Sequence, residues 1–311
     1  MAWQWQCFLS FAVVAVSAAA SLGAIIRANN KLRRRRPPRE DDAASAAAPP
    51  PPWISCWSLV PPSWLLAFRA TAAVALAAVL AWDLRTYDPS IMMYYTEWTL
   101  LLEIAYFAAA TLCSAYGCRM VYYYYPSRDR AVDPDPESDD KRLLGQSGGG
   151  DEANPNGDDA WKGAGRLGLQ LMQIGYQVSA GAVVLTDAVF WGLIVPFTLS
   201  AHFSLNAVMA CIHSLNLVFL LIETALNNLD FPWFRMPYFV LWTCLYVIIQ
   251  WIAHVCGMTW WPYPFLRPES SLAPLWYLAM ALLHFPCYLV YWLIVRAKSG
   301  CLIHMQVAYR S

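Results

Sequence analysis

The sequence predicts an all-α integral membrane protein, a helical bundle of about seven transmembrane helices. Two features of the composition support this prediction, since 59% of the 311 residues are hydrophobic and only 14% are charged. A third is the length of the apolar stretches, several of which approach the roughly 20 residues that a helix needs to cross a hydrocarbon core about 30 Å thick. The formal net charge is zero, with 21 basic and 21 acidic residues, so nothing in the charge balance predicts a nucleic-acid partner.

Hydropathy divides the chain into seven predicted spans. They cover residues 8–26, 63–82, 95–117, 176–198, 203–226, 238–256 and 275–296. We interpret spans two to seven as a six-helix core, and residues 1–36 as an N-terminal transmembrane anchor with a basic flank. A cleaved secretory signal is the alternative for span one, because "SAAASLGA" offers small residues for cleavage. The basic residues follow the apolar stretch instead of preceding it, which favours a retained anchor.

The segments outside the spans have the composition of linkers. Residues 37–62 are rich in Pro and Ala, a composition that predicts an extended linker. Residues 131–163 are acidic and Gly-rich, which predicts a disordered cytosolic loop. The core spans then occupy 63–130 and 164–298, and residues 299–311 form a tail.

The positions of the basic residues predict the orientation of the chain. Arg27, Lys31 and the run 33–36 follow span one, and Arg296 and Lys298 follow span seven. Cytosolic flanks carry the excess of Lys and Arg, so we expect a non-cytosolic N-terminus and a cytosolic C-terminus. The expected location is the endomembrane system or the plasma membrane, with membrane lipids as partners.

Polar side chains interrupt five of the spans. The stretch "MACIHSLNLVFLLIETALNN" contributes to a polar face whose members fall within an arc of roughly 100°; they are Asn206, His213, Asn216, Glu223 and Asn227. Four other spans carry further polar residues: Thr96, Thr99, Glu103, Asp187, Gln250, His254 and His284. Ionisable residues inside a membrane are functional candidates, because they are costly to bury. The alternative role is hydrogen bonding between helices.

Motifs narrow the chemistry that these residues can support. The chain has no G-x-S-x-G, P-loop or H-E-x-x-H motif, and its nine cysteines show neither C-x-x-C nor Cys/His ligand spacing. We therefore expect no metal and no cofactor. If the protein is an enzyme, we expect its nucleophile to be a hydroxyl group activated by a histidine. The competing hypothesis is a non-enzymatic protein that binds a lipid or acts as a scaffold or receptor-like component.

Four stretches resemble a known family. "MMYYTEWTLLLEIAYF", "HSLNLVFLLIE", "WIAHVCGMTWWPYPFL" and "PLWYLAMALLHFPCY" are similar to the androgen-induced and androgen-dependent TFPI-regulating protein family and its plant-like, rolling stone-like branch. The resemblance covers roughly residues 64–296. It implies a multi-pass hydrolase of fatty acid esters of hydroxy fatty acids, with a threonine nucleophile and a histidine. The matching positions are Thr96 and His213.

The resemblance and helix geometry leave some roles open. The chain has Leu100 where the family has Asp, so Thr99 competes with Thr96 for the role of nucleophile. Thr96 and His213 are expected to differ in depth by roughly 8–13 Å before helix tilt. His254 is nearer to Thr96 in predicted depth and is an alternative base. The candidates for orienting His213 are Asn216, Glu103 and Asp187.

Overall fold

The computed structural model of the protein describes residues 5–34, 51–57, 59–124, 155–198 and 206–310, and within these ranges every long element is a helix. The helices are α1 (Trp5–Arg34), α2 (Pro62–Thr86), α3 (Tyr95–Tyr124), α4 (Pro155–Val189), α5 (Ala207–Ile212), α6 (Leu215–Leu226), α7 (Met236–Val255) and α8 (Ala273–Arg310). A π-helical turn (Phe190–Ile194) and a last turn (Val195–Thr198) extend α4. Short 3₁₀ turns lie at Pro89–Met93, Trp233–Arg235 and Pro264–Leu266.

Seven segments of the described chain are long and apolar enough to cross a membrane, with α5 and α6 together forming the fifth. The predicted all-helical, seven-span, multi-pass architecture is therefore confirmed. The helix boundaries follow local chemistry. Pro62 opens α2, where the missing N–H has no helical partner to lose. Asn206 caps α5, and its side chain accepts a hydrogen bond from the Met209 amide at 2.9 Å.

Several helices extend beyond the predicted spans. Helix α2 continues past residue 82 to Thr86, and the fourth span begins at Gly168, earlier than the predicted residue 176. Most of the predicted acidic loop, residues 131–154, lies outside the described residues, and the remainder to residue 163 belongs to α4. The predicted tail continues α8 as far as Arg310.

Helix α1 is packed into the bundle, although the sequence places it outside a six-helix core. It contacts α7 and α8, and the Phe11 ring meets the Trp251 ring edge-on with 4.4 Å between centroids. The Cys7 thiol donates to the Pro268 carbonyl at 3.4 Å, which ties the start of α1 to the loop before α8. The described bundle thus has seven mutually packed spans.

A buried ion pair joins α2 to α6 at one end of the bundle, which we call the ion-pair end. Arg69 donates from Nη2 to Glu223 Oε1 at 2.6 Å, and both side chains are fully inaccessible to solvent. Arg69 Nη1 also donates to Ser114 Oγ and to the Pro52 carbonyl, at 2.7 and 3.2 Å. Tyr106 donates to the same Glu223 oxygen at 2.8 Å. The pair is saturated with hydrogen bonds, the condition under which buried charges are tolerated.

Residues 51–57, within the predicted linker, pack against this same end. Ser55 Oγ donates to the Leu226 carbonyl at 2.8 Å and Trp57 Nε1 donates to the Ala225 carbonyl at 2.7 Å. These carbonyls end α6 and have no partner within the helix, so the segment satisfies them. Contact is close enough that a Cβ on Gly117 would lie 2.0 Å from the Trp53 ring. Residues 35–50 of the linker region lie outside the described residues.

Candidate functional site

A cavity of about 390 Å³ lies at the other end of the bundle, which we call the cavity end. All seven spans contribute to its lining, together with the loop between α7 and α8. Its volume is within the range of small-molecule sites, and its wall is mostly apolar and aromatic. Besides six tyrosines, the hydroxyl, carboxyl and imidazole residues of its lining are Ser17, Asp83, Thr96, Glu97, Thr186, His213, Thr243 and His284.

His213 lies where two irregularities in the helices meet. Helix α5 ends at Ile212, with His213 as its C-cap, and α6 begins only at Leu215, so the helix of the fifth span is interrupted here. The π-helical turn that follows α4 packs beside the break, and Trp191 Nε1 donates to the His213 carbonyl at 3.0 Å. A broken helix frees backbone groups that hydrocarbon cannot satisfy, and this indole satisfies one of them. π-Turns occur frequently at functional sites.

The His213 imidazole is held between a ring and a carboxyl group. It stacks on Phe190, with 3.5 Å between ring centroids and 7° between planes. Asp187 Oδ1 lies 3.8 Å from His213 Nδ1, and neither atom has a closer hydrogen-bond partner in the described part of the chain. Asn216 approaches the same carboxyl group. A small rotation of either side chain closes the gap to a hydrogen bond, and unliganded sites are often loose in this way.

The two candidate threonines have different surroundings. Thr96 lies in the first turn of α3 and lines the cavity, with the Tyr263 phenol close to its side chain. Thr99 does not line the cavity. Its hydroxyl donates to the Tyr95 carbonyl at 3.0 Å and lies 3.2 Å from the Thr186 hydroxyl. Thr96 is therefore the one of the two that a molecule in the cavity can reach.

Of the other predicted site residues, Glu103 and Asn216 lie near Asp187, whereas His254 lies apart from the cavity. Glu103 is fully buried near Asp187, and its carboxyl oxygens have no hydrogen-bond partner among the described residues. Asn216 Oδ1 accepts from the Leu217 amide at 2.7 Å. His254 stands apart, because its ring stacks on Trp261 at 3.6 Å and does not line the cavity. The structure thus gathers Thr96 and His213 at one cavity and leaves the alternative base outside it.

The sequence analysis did not assign Asp83, Glu97 or Tyr263 to the site. Asp83 and Glu97 lie within hydrogen-bonding distance of each other, and both line the cavity. Asp83 lies one residue beyond the predicted end of span two at residue 82, and within α2 in the structure. Burial raises the pKa of the Tyr263 phenol, which therefore stays protonated while it accepts a hydrogen bond from the Tyr95 amide at 3.2 Å. Within the described ranges, no three His, Cys, Asp or Glu side chains are placed to hold one metal ion.

Comparison with known proteins gives no match to a family model, a curated protein or a solved structure. The family resemblance of the sequence stays a prediction. The architecture and the cavity therefore carry the functional argument.

Proposed function

We propose that the protein is an intramembrane hydrolase of lipid esters, with Thr96 as the nucleophile and His213 as the general base. The observation that carries the proposal is that these two side chains line one cavity. They are supplied by α3 and by the end of α5, far apart in the sequence, and a nucleophile needs such a base within reach.

The surroundings of His213 support its role as a base. Asp187 lies behind the imidazole, on the side of Nδ1, where a carboxylate fixes the tautomer and stabilises the imidazolium. Stacking on Phe190 further restricts the ring. Asn216 lies close to Asp187, where a small movement would let its amide donate to the orienting carboxyl group.

The reaction proceeds in two steps. His213 removes the proton from the Thr96 hydroxyl as the oxygen attacks the ester carbonyl, and the imidazolium then protonates the departing alcohol. A water molecule, deprotonated by His213, then attacks the acyl-threonine; the fatty acid is released as the imidazolium returns the proton to the departing Thr96 oxygen. The protonated Tyr263 phenol lies beside Thr96 and is suited to donate a hydrogen bond to the developing oxyanion. The mostly apolar wall of the cavity suits the acyl chain of the substrate.

Labelling by a fluorophosphonate probe in maltoside micelles tests the proposal. Wild type should be labelled, and Thr96→Ala and His213→Ala should each lose labelling. Thr99→Ala is the matched control, because it removes the same hydroxyl one turn further along α3 from a residue outside the cavity lining. Size-exclusion and helicity measurements select folded protein.

The outcomes separate the hypotheses. Loss of labelling in Thr99→Ala with labelling kept in Thr96→Ala would contradict the assigned nucleophile. An unlabelled but folded wild type would overturn hydrolysis and favour a cavity that only binds lipid.

A further inference from the structure

Two carboxyl groups lie in the cavity wall and indicate which class of ligand the cavity can bind. Asp83 and Glu97 are 3% and 6% exposed, and both belong to the lining. Glu97 Oε2 is buried and accepts no hydrogen bond from an N–H or hydroxyl group of the described residues, and its neighbour is the Asp83 carboxyl group. A carboxyl oxygen that is buried without a partner is costly unless a ligand completes its hydrogen bonds.

The basic groups of the lining balance this acid only in part, since His213 lies within electrostatic reach of Asp83 as well as of Asp187. Among the described residues that line the cavity there is no Lys or Arg, and the titratable bases are His213 and His284. His284 is already engaged, since its ring nitrogens lie 2.8 Å from the Met280 carbonyl and 2.9 Å from the Thr243 hydroxyl. His213 faces Asp187.

The nearest arginines also leave the two carboxyl groups uncompensated. Arg85 and Arg267 belong to the cavity end, but they are exposed and do not line the cavity. Arg69 is paired with Glu223 at the ion-pair end. When the pair of Asp83 and Glu97 is ionised, no arginine in the described chain neutralises its charge, so a cationic ligand can do so.

Aromatic rings surround the carboxyl groups. Tyr94, Tyr246 and Tyr263 lie within electrostatic reach of Glu97, and all three line the cavity. The Tyr94 and Tyr263 rings meet edge-on with 5.6 Å between centroids. Aromatic faces beside a carboxylate attract amines and quaternary ammonium groups, through the ring quadrupole and the charge together.

We propose that the cavity binds single-chain amphiphiles with a positively charged head, which lies against Asp83 and Glu97 among these tyrosines. The apolar chain lies along the remaining wall, where Val14, Val247 and Met280 represent three different spans. An anionic head, such as the free carboxylate of a fatty acid, is repelled from the same place. The proposal concerns binding, so it holds or fails whether or not Thr96 is a nucleophile.

Calorimetric titration of Thr96→Ala protein in uncharged maltoside micelles tests the inference without turnover. The probes are octanoylcholine, the 3,3-dimethylbutyl ester of octanoic acid, which replaces the charged nitrogen by carbon, and octanoate. We expect octanoylcholine to bind at least about tenfold more tightly than its uncharged isostere, and octanoate to bind most weakly. Titration into micelles without protein removes the contribution of partitioning.

Substitutions of the two carboxyl residues test whether they cause the preference for the cationic probe. Asp83→Asn combined with Glu97→Gln should bring the cation and the isostere within about twofold of each other. Glu269→Gln is the matched control, since it removes an exposed carboxyl group from the loop at the same end of the bundle. It should leave the preference unchanged. Equal binding of octanoylcholine and its isostere, or a preference that survives the double variant, would overturn the inference. If the double variant does not fold, the probe series on the Thr96→Ala background decides alone.

Discussion

Replacement of Glu223 by Gln should destabilise the protein strongly and leave the candidate site reactive. The change keeps the side-chain volume but removes the charge that faces Arg69, whose guanidinium cannot release its proton. Both side chains are fully buried, so water does not compensate the lost partner. Removal of one member of a buried pair costs about 3–5 kcal/mol, and we expect a loss of this size in the free energy of unfolding.

Two further variants provide reference values for the expected loss in the free energy of unfolding. Tyr106→Phe deletes one hydrogen bond to Glu223 while the ion pair remains, and should cost about 1.5–3 kcal/mol. Arg69→Met combined with Glu223→Met removes both charges, and should cost less than Glu223→Gln alone, because no charge is left unpaired.

Unfolding in mixed maltoside and dodecyl sulfate micelles, followed by far-ultraviolet circular dichroism, measures these free energies. Fluorophosphonate labelling of the folded Glu223→Gln protein should match wild type, since the pair lies at the opposite end of the bundle from the cavity. A loss below about 1 kcal/mol in Glu223→Gln, or a double variant less stable than the single one, would refute the reasoning.

Three other substitutions have expected outcomes that the same assays check. Gly181→Ala would place its Cβ 2.6 Å from the Phe239 ring and should cost about 1–3 kcal/mol in unfolding experiments, whereas an unchanged stability would contradict the close contact. Asp187→Asn should slow probe labelling by about tenfold or more while helicity is kept, and full reactivity would exclude an orienting role for this carboxyl group. Trp191→Phe should also slow labelling, because the His213 carbonyl loses its donor at the helix break; wild-type labelling would show that the break holds without it.

Hydropathy was sufficient to predict the spans, because length and apolar composition decide which helices cross a membrane. It did not reveal the role of Arg69, which is the one charged residue of the predicted span 63–82 and whose ion-pair partner Glu223 lies 154 residues later. Glu223 was therefore grouped with His213 on a single polar face. In the structure the two serve opposite ends of the bundle, Glu223 with Arg69 and His213 with the cavity.

The geometry of the site depends on features that a regular 3.6-residue period does not describe. The break after His213 and the π-turn at Phe190–Ile194 change the direction of side chains on either side of them. The predicted difference in depth between Thr96 and His213 assumed straight, unbroken helices. The sequence was sufficient to predict both residues as candidates, but the cavity that they share depends on this irregular backbone. It also depends on the extension of α2 beyond residue 82, which brings Asp83 into the lining.

The ribosome synthesises Arg69 well before its ion-pair partner Glu223. The two residues are 154 positions apart, and ribosomes add about 5–20 residues per second, so the second span exists for roughly 8–30 s before its counter-ion has been made. Throughout that interval its arginine carries an insertion penalty of about 2.5–3.5 kcal/mol. The ion pair can form only after the fifth span has been made, so the second span carries this cost alone until then.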